Sequence, residues 1–286
     1  MKKLLIINDN SPEAKHAAEF ALALAQKVEV NLMLVNTFQK TKKAIKKMVT
    51  AGVIVKSGAD LYSYQEGSDC PFSEIHNHLK TLNEGREGFK PEIEEFDFSE
   101  MNENEVIELV NRNHIWMMVK GMANQEPAAH TKMHLNIHTV LNRVLCPLLL
   151  IPAHWALKDP ERLVYIADLR YCRIQVVRYL AEIARPWNAS LSIAHMSAKG
   201  LPDMAEKYAL TVFSEEVSHN VDYGQLFFNN IKEKDLSKVV DVLISGMHND
   251  ILVMVNHQFH FEEIVGRYIT ETLPTLVTVP LLVFPY

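Results

Sequence analysis

Two short apolar runs that end in aspartate, LLIIND (4–9) and LVYIAD (163–168), decide the organisation of this chain. The residues that follow them also match. AAEFALALAQKVEVNLMLVN (17–36) aligns with VVRYLAEIARPWNASLSIAH (176–195) at the same offset of 159 residues and without a gap. Ordered blocks at a fixed offset indicate an internal repeat, so the sequence predicts two copies of one structural unit.

The final parts of the two copies match as well. The matched blocks are IWMMV (115–119) with ILVMV (251–255), and CPLLLIP (146–152) with VPLLVFP (279–285). The stretch AHWALKDPER (153–162) separates the copies and contains a proline, as domain junctions often do. We therefore expect one domain over 1–152 and a second domain over 160–286.

Apolar periodicity alternates between strand and helix within each copy. LLII and LMLV are short and continuously apolar, which is typical of strands buried on both faces. Alanines and a leucine recur at helical spacing from Ala14 to Ala25, after Ser11 or Pro12 as the helix start. This alternation predicts an α/β fold of two tandem, doubly wound, five-stranded parallel-sheet domains of Rossmann-like type.

The second copy shows the same alternation further along. DMAEKYALTVFSEEV (203–217) and DLSKVVDVLI (235–244) predict helices, and GQLFF (224–228) predicts a strand between them. The first copy differs in its middle, because residues 49–69 have no counterpart in the second copy. We interpret them as an insertion or a divergent connection.

Composition excludes several function classes. The chain of 286 residues is 48% hydrophobic and 22% charged, as in a globular protein, and its net charge of -6 argues against nucleic-acid binding. The apolar run of MKKLLIIND is too short for a secretory signal, and no stretch is long enough for a membrane span. The three cysteines, Cys70, Cys146 and Cys172, form no CxxC pair, so we expect neither disulfides nor a thiolate zinc site, and a cytoplasmic location.

Two clusters of charge stand out in the first copy. Five lysines lie between Lys40 and Lys47, and an acidic stretch runs from Glu84 to Glu105. We interpret both clusters as solvated faces of helices or loops rather than as partner sites.

The stretches IINDNSPEAKHAAEFALALA, VLCPLLLIP and VTVPLLVFP make the chain resemble the universal stress protein family in its tandem two-domain form. The resemblance implies a fold like that of the adenine nucleotide alpha hydrolases. It also implies a cytoplasmic stress-response protein without enzymatic activity. Many members of that family bind ATP through a glycine motif that follows the fourth strand, because backbone amides approach phosphates closely only where no Cβ intervenes.

The glycine motif is degenerate in both copies. Gly121 occupies the first glycine position, and the second and third positions hold Asn124 and His134, with Leu135 at the hydroxyl position. In the second copy His257 and His260 stand at the first two positions, and Gly266 matches the third. Arg267 follows it where the family has serine or threonine. We therefore expect no bound cofactor and no ATP binding in the usual family manner.

Asp9 and Asp168 match the aspartate that lies near the nucleotide in ATP-binding relatives. The alternative role for both residues is to stabilise the turn from strand to helix by capping. A protein that retains one atypical site for an adenine nucleotide or another small ligand stays open, with Arg267 as the phosphate contact.

A histidine-based zinc site is the third alternative. His134 and His138 lie four residues apart and would share one side of a helix, as pairs of zinc ligands do, but the glutamate of an HExxH motif is absent. Packed, hydrogen-bonded imidazoles fit the same spacing.

The resemblance also implies a joint between the two copies. In single-domain relatives the last strand pairs with that of a second copy, so residues 147–151 and 280–284 are expected to pair antiparallel within this chain. Each strand would then cover the open edge of the other. A homodimer of the whole chain stays open.

Overall fold

The computed structural model of the chain describes residues 2–37, 73–98, 102–123, 136–270 and 272–286. The segment 49–69 and the lysine cluster at 40–47 lie outside these residues. In the described ranges, each helix is too short or too polar to span a membrane.

The first copy contains strands and helices in alternation. Its strands are β1 (Lys3–Asn8), β2 (Asn31–Asn36), β3 (Ile93–Asp97), β4 (Ile115–Met122) and β5 (Leu148–Pro152). Its described helices are α1 (Pro12–Val28), α2 (Glu74–Glu84), α3 (Glu103–Arg112) and α4 (Ile137–Leu141).

The second copy repeats the pattern. Its strands are β6 (Arg162–Ala167), β7 (Ser190–Met196), β8 (Leu226–Ile231), β9 (Ile251–Val255) and β10 (Leu281–Phe284). Its helices are α5 (Ile174–Ala184), α6 (Glu206–Val212), α7 (Leu236–Asp241) and α8 (Phe259–Ile264). The helices predicted for 203–217 and 235–244 are present, and each ends in a wider π-helical turn. The strand predicted at 224–228 begins and ends later, at Leu226 and Ile231.

All ten strands form one sheet in the order β3-β2-β1-β4-β5-β10-β9-β6-β7-β8. From the middle outward the first copy reads β5-β4-β1-β2-β3, and the second copy reads β10-β9-β6-β7-β8, which is the same order. Neighbouring strands within each copy run parallel. The prediction of two tandem, doubly wound domains is therefore confirmed.

The two copies meet through their last strands. β5 pairs antiparallel with β10, with Leu148 opposite Val283 and Leu150 opposite Leu281. These residues are fully buried, so neither strand presents an open edge to solvent.

The first helix shows why the sequence folds as it does locally. Ser11 caps α1, since its hydroxyl oxygen accepts a hydrogen bond from the backbone N–H of Ala14 at 3.1 Å, and Pro12 occupies the first turn. Alanines fill most of the buried face of α1, which lets the helix axis lie close to the sheet.

One interpretation of the charge pattern is wrong. The acidic stretch from Glu84 to Glu105 is not only a solvated helix or loop face, because Ile93–Asp97 within it forms the edge strand β3. The side chain of Glu95 on this strand is only 7% exposed. An edge strand has a single neighbour, so its polar residues resemble those of a surface segment.

Candidate functional site

The parallel strands of one copy end at a common edge, where sheets of this kind bind ligands. We call the edge at the carboxyl ends of β1–β4 the first cleft and the edge at the carboxyl ends of β6–β9 the second cleft.

Asp9 directly follows β1 at the first cleft, and its carboxylate forms hydrogen bonds within the turn that leads into α1. Its Oδ1 accepts hydrogen bonds from the backbone N–H and the hydroxyl of Ser11, at 3.0 and 2.5 Å. The same hydroxyl oxygen caps α1. Asp9 thus orients the capping serine, which is an indirect form of the capping role considered from the sequence.

Asp168 leaves β6 at the second cleft and is held by Arg170. The guanidinium donates from Nε to Oδ1 at 2.8 Å and from Nη2 to Oδ2 at 2.6 Å. The backbone N–H groups of Arg170 and Ala198 also donate to the carboxylate, at 3.1 and 2.9 Å. Both oxygens are therefore occupied by groups of the chain itself, and the Asp168 side chain is only 2% exposed.

Electrostatics agree with this closed arrangement. Burial opposes ionisation of Asp168, but the hydrogen bonds and charge of Arg170 and the N–H of Ala198 outweigh it, so the pKa of the carboxyl lies below its usual value. The side chain of Arg170 is 27% exposed, and its Nη1 also donates to the carbonyl oxygen of Pro202 at 3.1 Å. A bidentate pair of this kind is both strong and directional.

Gly121 lies in β4 where the strand passes the first turn of α1. A Cβ added at this position would come within 2.1 Å of the carbonyl oxygen of Glu13 and 2.8 Å of the backbone nitrogen of Ala14. Glycine is therefore required here by the packing of strand against helix, whether or not a phosphate binds nearby.

The second copy has histidines in place of the first two glycines. His257 follows β9 with a φ of 56°, in the left-handed region that favours glycine. His260 in α8 is buried, and its Nε2 lies 3.0 Å from the carbonyl oxygen of Met196. Since a carbonyl oxygen only accepts, this nitrogen carries the proton.

Gly266 and Arg267 lie beyond α8. Gly266 has a φ of 99° and open space around its Cα, so glycine is explained by the turn itself. The Arg267 side chain is exposed. Asn124 and His134 lie outside the described residues.

A buried polar chain that we did not predict crosses the first copy near the ends of its strands. The side chain of Asn8 donates to Oδ1 of Asn36 at 2.6 Å, and the side chain of Asn36 donates to Oε1 of Glu95 at 2.5 Å. Glu95 also accepts from the backbone N–H of Ser73 and lies 3.5 Å from Nδ1 of His76. The asparagines that end LLIIN and NLMLVN are the one sequence signal for it.

His138 belongs to a hydrogen-bonded cluster between the copies. The side-chain nitrogen of Asn256, which only donates, lies 2.6 Å from Oδ1 of Asn142, and Nε2 of His257 lies 3.1 Å from the same oxygen. The amide nitrogen of Asn142 then faces Nε2 of His138 at 3.0 Å. That nitrogen of His138 must accept, so the ring is neutral.

The surroundings of His138 favour the neutral ring. Burial and the neighbouring His257 lower the pKa of His138. A metal ion at Nε2 would have to displace Asn142. Among the described residues, no three His, Cys, Asp or Glu side chains converge as metal ligands.

A cavity of about 410 Å³ opens at the second cleft between the loops after β7 and β8 and the helix α8. Three lysines and three acidic residues line it: Lys199, Lys232, Lys234, Asp203, Glu233 and Glu263. Lys232 pairs with Glu206 at 2.8 Å, and Lys234 lies 3.6 Å from Asp203. Sequence reasoning missed this set because the lysines come from two separate loops.

No protein-family model matches this chain, and no curated protein sequence matches it. Solved structures do match it. A universal stress protein from Archaeoglobus fulgidus is similar over 99% of this chain and 98% of that chain, with a TM-score of 0.61 and 13% identity. A Pseudomonas aeruginosa protein named as a universal stress protein is similar over 100% of this chain and 93% of that chain, with a TM-score of 0.52 and 11% identity.

The same fold occurs elsewhere. The cytoplasmic domain of a prokaryotic cation chloride cotransporter is similar over 99% of this chain and 95% of that chain, with a TM-score of 0.52 and 8% identity. These likenesses establish that the chain has the fold of tandem universal stress proteins. A shared fold alone does not assign an activity.

Proposed function

We propose that the chain is a non-enzymatic, cytoplasmic stress-response protein of the universal stress protein family whose clefts do not bind ATP in the usual family manner. The fold that it shares with universal stress proteins along nearly its whole length supports this assignment. The observation that carries the absence of ATP binding at the second cleft is the pair formed by Asp168 and Arg170. At the first cleft the carboxylate of Asp9 is engaged by Ser11.

The physical reason is competition inside the second cleft. A ligand that approached Asp168 would have to displace a guanidinium bound through two short hydrogen bonds. A neutral donor of a ligand, such as an amino group, would form weaker hydrogen bonds with the Asp168 carboxylate than the charged, bidentate arginine that it would replace. The side chains of His257 and His260 also stand where the family motif requires bare backbone for the phosphates.

We propose in addition that the chain forms an intramolecular pseudo-dimer, which the joint between the copies supports. The pairing of β5 with β10 corresponds to the dimer interface implied for single-domain relatives, so one chain acts as an intramolecular pseudo-dimer. The buried leucines opposite one another in this pairing hold the copies together as the two halves of one sheet.

A second candidate is a sensor for a small anionic ligand at the second cleft. Lys199 at the 410 Å³ cavity favours it, since lysine binds phosphate groups as a point charge. The other two lysines of the cavity are balanced by Asp203 and Glu206, which leaves Lys199 as the lysine without an ion pair among the described side chains.

Thermal shift of the purified protein tests both candidates. With ATP and Mg²⁺, AMP or Zn²⁺, we expect no change in the melting temperature. Saturation at one hundred times Kd would add about 2.7 kcal/mol of stability, so binding is easily detected. A rise with ATP that Asp168→Ala or Asp9→Ala abolishes, while exposed Asp222→Ala does not, overturns the proposal.

Thermal shifts with the other ligands distinguish the two alternative functions. A rise with AMP or inorganic phosphate that Lys199→Gln removes supports the anion sensor. A rise with Zn²⁺ that His138→Ala removes supports the histidine-based metal site.

A further inference from the structure

A groove of about 670 Å³ lies where the two copies meet, away from the cavity of the second cleft. Trp116 and Pro147 line it from the first copy, and Tyr179 and Phe284 line it from the second. We call it the joint groove. Its volume falls within the range of small-molecule sites, which hold a ligand between apolar walls and a few polar groups.

Aromatic side chains from both copies form one wall. The rings of Trp116 and Tyr179 stack with centroids 4.9 Å apart and an interplanar angle of 23°. Phe284 meets Tyr179 edge to face at 5.2 Å, and the hydroxyl of Tyr179 donates to the backbone carbonyl of Trp116 at 2.7 Å. This wall is therefore fixed in position and suited to a planar ring.

The rim adds exposed apolar surface. Leu145 lines the groove and is 93% exposed, although leucine is usually buried. A ligand with an apolar part would remove this surface from water, which is favourable.

The charged side chains that line the groove are basic. Its described lining residues include Arg173 and Lys2 but no Asp or Glu side chain, in a chain with 35 acidic and 29 basic residues. The Nζ of Lys2 forms an ion pair with Oε2 of Glu182, which lies 2.7 Å away and outside the groove. Arg173 lies over the ring of Tyr286 at 4.9 Å and donates to the carbonyl oxygen of Pro285, so its side chain is held at the groove.

Arg173 also stands at the start of α5. It is the N-cap residue, no side chain caps this helix, and the first turn has no acidic residue. Helix starts carry partial positive charge from their free N–H groups, so a cation here is unfavourable unless an anion is present. Ile174–Ala184 spans 11 residues, which is long enough for this effect.

Trp116 of the aromatic wall also carries a buried donor. The Trp116 side chain is 9% exposed, and its indole N–H is buried without a hydrogen-bond partner among the described residues. A buried N–H group normally has an acceptor. The groove therefore combines an aromatic wall, a held cation at an uncapped helix start, and a donor that lacks its acceptor.

We propose that the joint groove binds a small aromatic carboxylate, with the carboxylate at Arg173 and the start of α5 and the ring against Trp116, Tyr179 and Phe284. Because residues of both copies line the groove, such a ligand would bind only when the copies are joined. This proposal does not rest on the absence of ATP binding, since it concerns a different part of the chain.

Isothermal titration calorimetry tests the proposal with naphthalene-2-carboxylate, its neutral carboxamide and the ring-free anion acetate. We expect the carboxylate to bind with one site per chain. The carboxamide should bind at least tenfold more weakly, and acetate should not bind in the same range. Equal affinity for carboxylate and carboxamide, or no binding of the carboxylate at millimolar concentration, overturns the proposal without any variant.

Variants then test whether the ligand binds at the joint groove. Arg173→Gln should weaken carboxylate binding at least tenfold and should leave carboxamide binding within twofold. Arg178→Gln is the matched control, because Arg178 lies in the same helix but donates to the backbone of Asn220 away from the groove. Trp116→Phe keeps an aromatic ring but removes the indole N–H and part of the wall, and it should weaken binding. Carboxylate affinity that is unchanged in Arg173→Gln shows that the anion binds elsewhere and overturns the proposal.

Discussion

Substituting Gly121 with alanine separates two reasons for having glycine at this position of β4. In nucleotide-binding relatives this position admits phosphates, and a chain that has lost the site would tolerate alanine there. In this structure β4 passes so close to the first turn of α1 that a side chain does not fit. The first reason predicts that Gly121→Ala leaves stability unchanged, and the second predicts that it lowers stability.

The size of the effect follows from the distances. An alanine Cβ would lie 2.1 Å from the carbonyl oxygen and 2.3 Å from the carbonyl carbon of Glu13, where ordinary contacts begin at 3.4 Å. The shortfall exceeds 1 Å against backbone atoms, which cannot rotate away. Overpacking of this kind costs about 3 kcal/mol when the neighbours are rigid. In a chain of this size the melting temperature would fall by roughly 6–12 °C.

Urea unfolding followed by circular dichroism, together with thermal melting, measures the change. Gly85→Ala is the matched control, because Gly85 lies in the same copy with φ −77° and its added Cβ would meet no atom closer than 3.7 Å. This control should stay within about 0.5 kcal/mol of the parent protein. If Gly121→Ala is as stable as Gly85→Ala, the close approach of β4 and α1 does not constrain the position, and the packing explanation fails.

Two further predictions concern buried polar groups. Burial lowers the pKa of three histidines in the folded protein: His76, His138 and His195. As the pH falls, these histidines therefore take up protons in the unfolded chain before they do so in the folded protein. The free energy of unfolding should decrease below about pH 6.5 for this reason. Urea midpoints at pH 8, 7, 6 and 5.5 measure this, and a midpoint that rises on acidification contradicts it. Asn142→Ala should destabilise the protein by about 1–3 kcal/mol, since it leaves the buried amide of Asn256 without its acceptor. Asn111→Ala, which loses a long and exposed hydrogen bond, should change urea stability little, and equal effects of the two variants would refute the role of Asn142.

The fold could be predicted because its main signals are local and repeated. Continuous apolar runs, the alanine spacing of α1 and the matched blocks each depend on a few neighbouring residues. The edge strand β3 escaped prediction for a physical reason. The strand IEEFD is partly exposed and carries one buried glutamate, Glu95. Tertiary partners, the side chain of Asn36 and the backbone N–H of Ser73, make that burial favourable.

The state of the clefts could be predicted only in part. The loss of glycines is visible in the sequence, but the fate of each aspartate depends on where a neighbouring side chain points. Arg170 lies two residues after Asp168, a spacing equally compatible with an arginine turned toward solvent. The Arg170 side chain points toward the Asp168 carboxylate because of the 3₁₀ turn at Leu169–Tyr171 and the hydrogen bond to the Pro202 carbonyl, which lies 32 residues away in the sequence.

The two copies have diverged at equivalent positions in the sheet, and each fills its cleft edge with its own side chains. Asn8 and Asn36 in the first copy correspond in the repeat to Ala167 and His195 in the second. In the first copy the asparagines extend a hydrogen-bonded chain to Glu95. In the second copy Nδ1 of His195 accepts from the backbone N–H of Leu169, beside the aspartate held by Arg170. Buried polar groups are normally hydrogen-bonded, and these side chains find their partners within the chain itself. A nucleotide would therefore have to compete with internal partners, whereas Arg173 at the joint groove meets no acidic side chain among the lining residues.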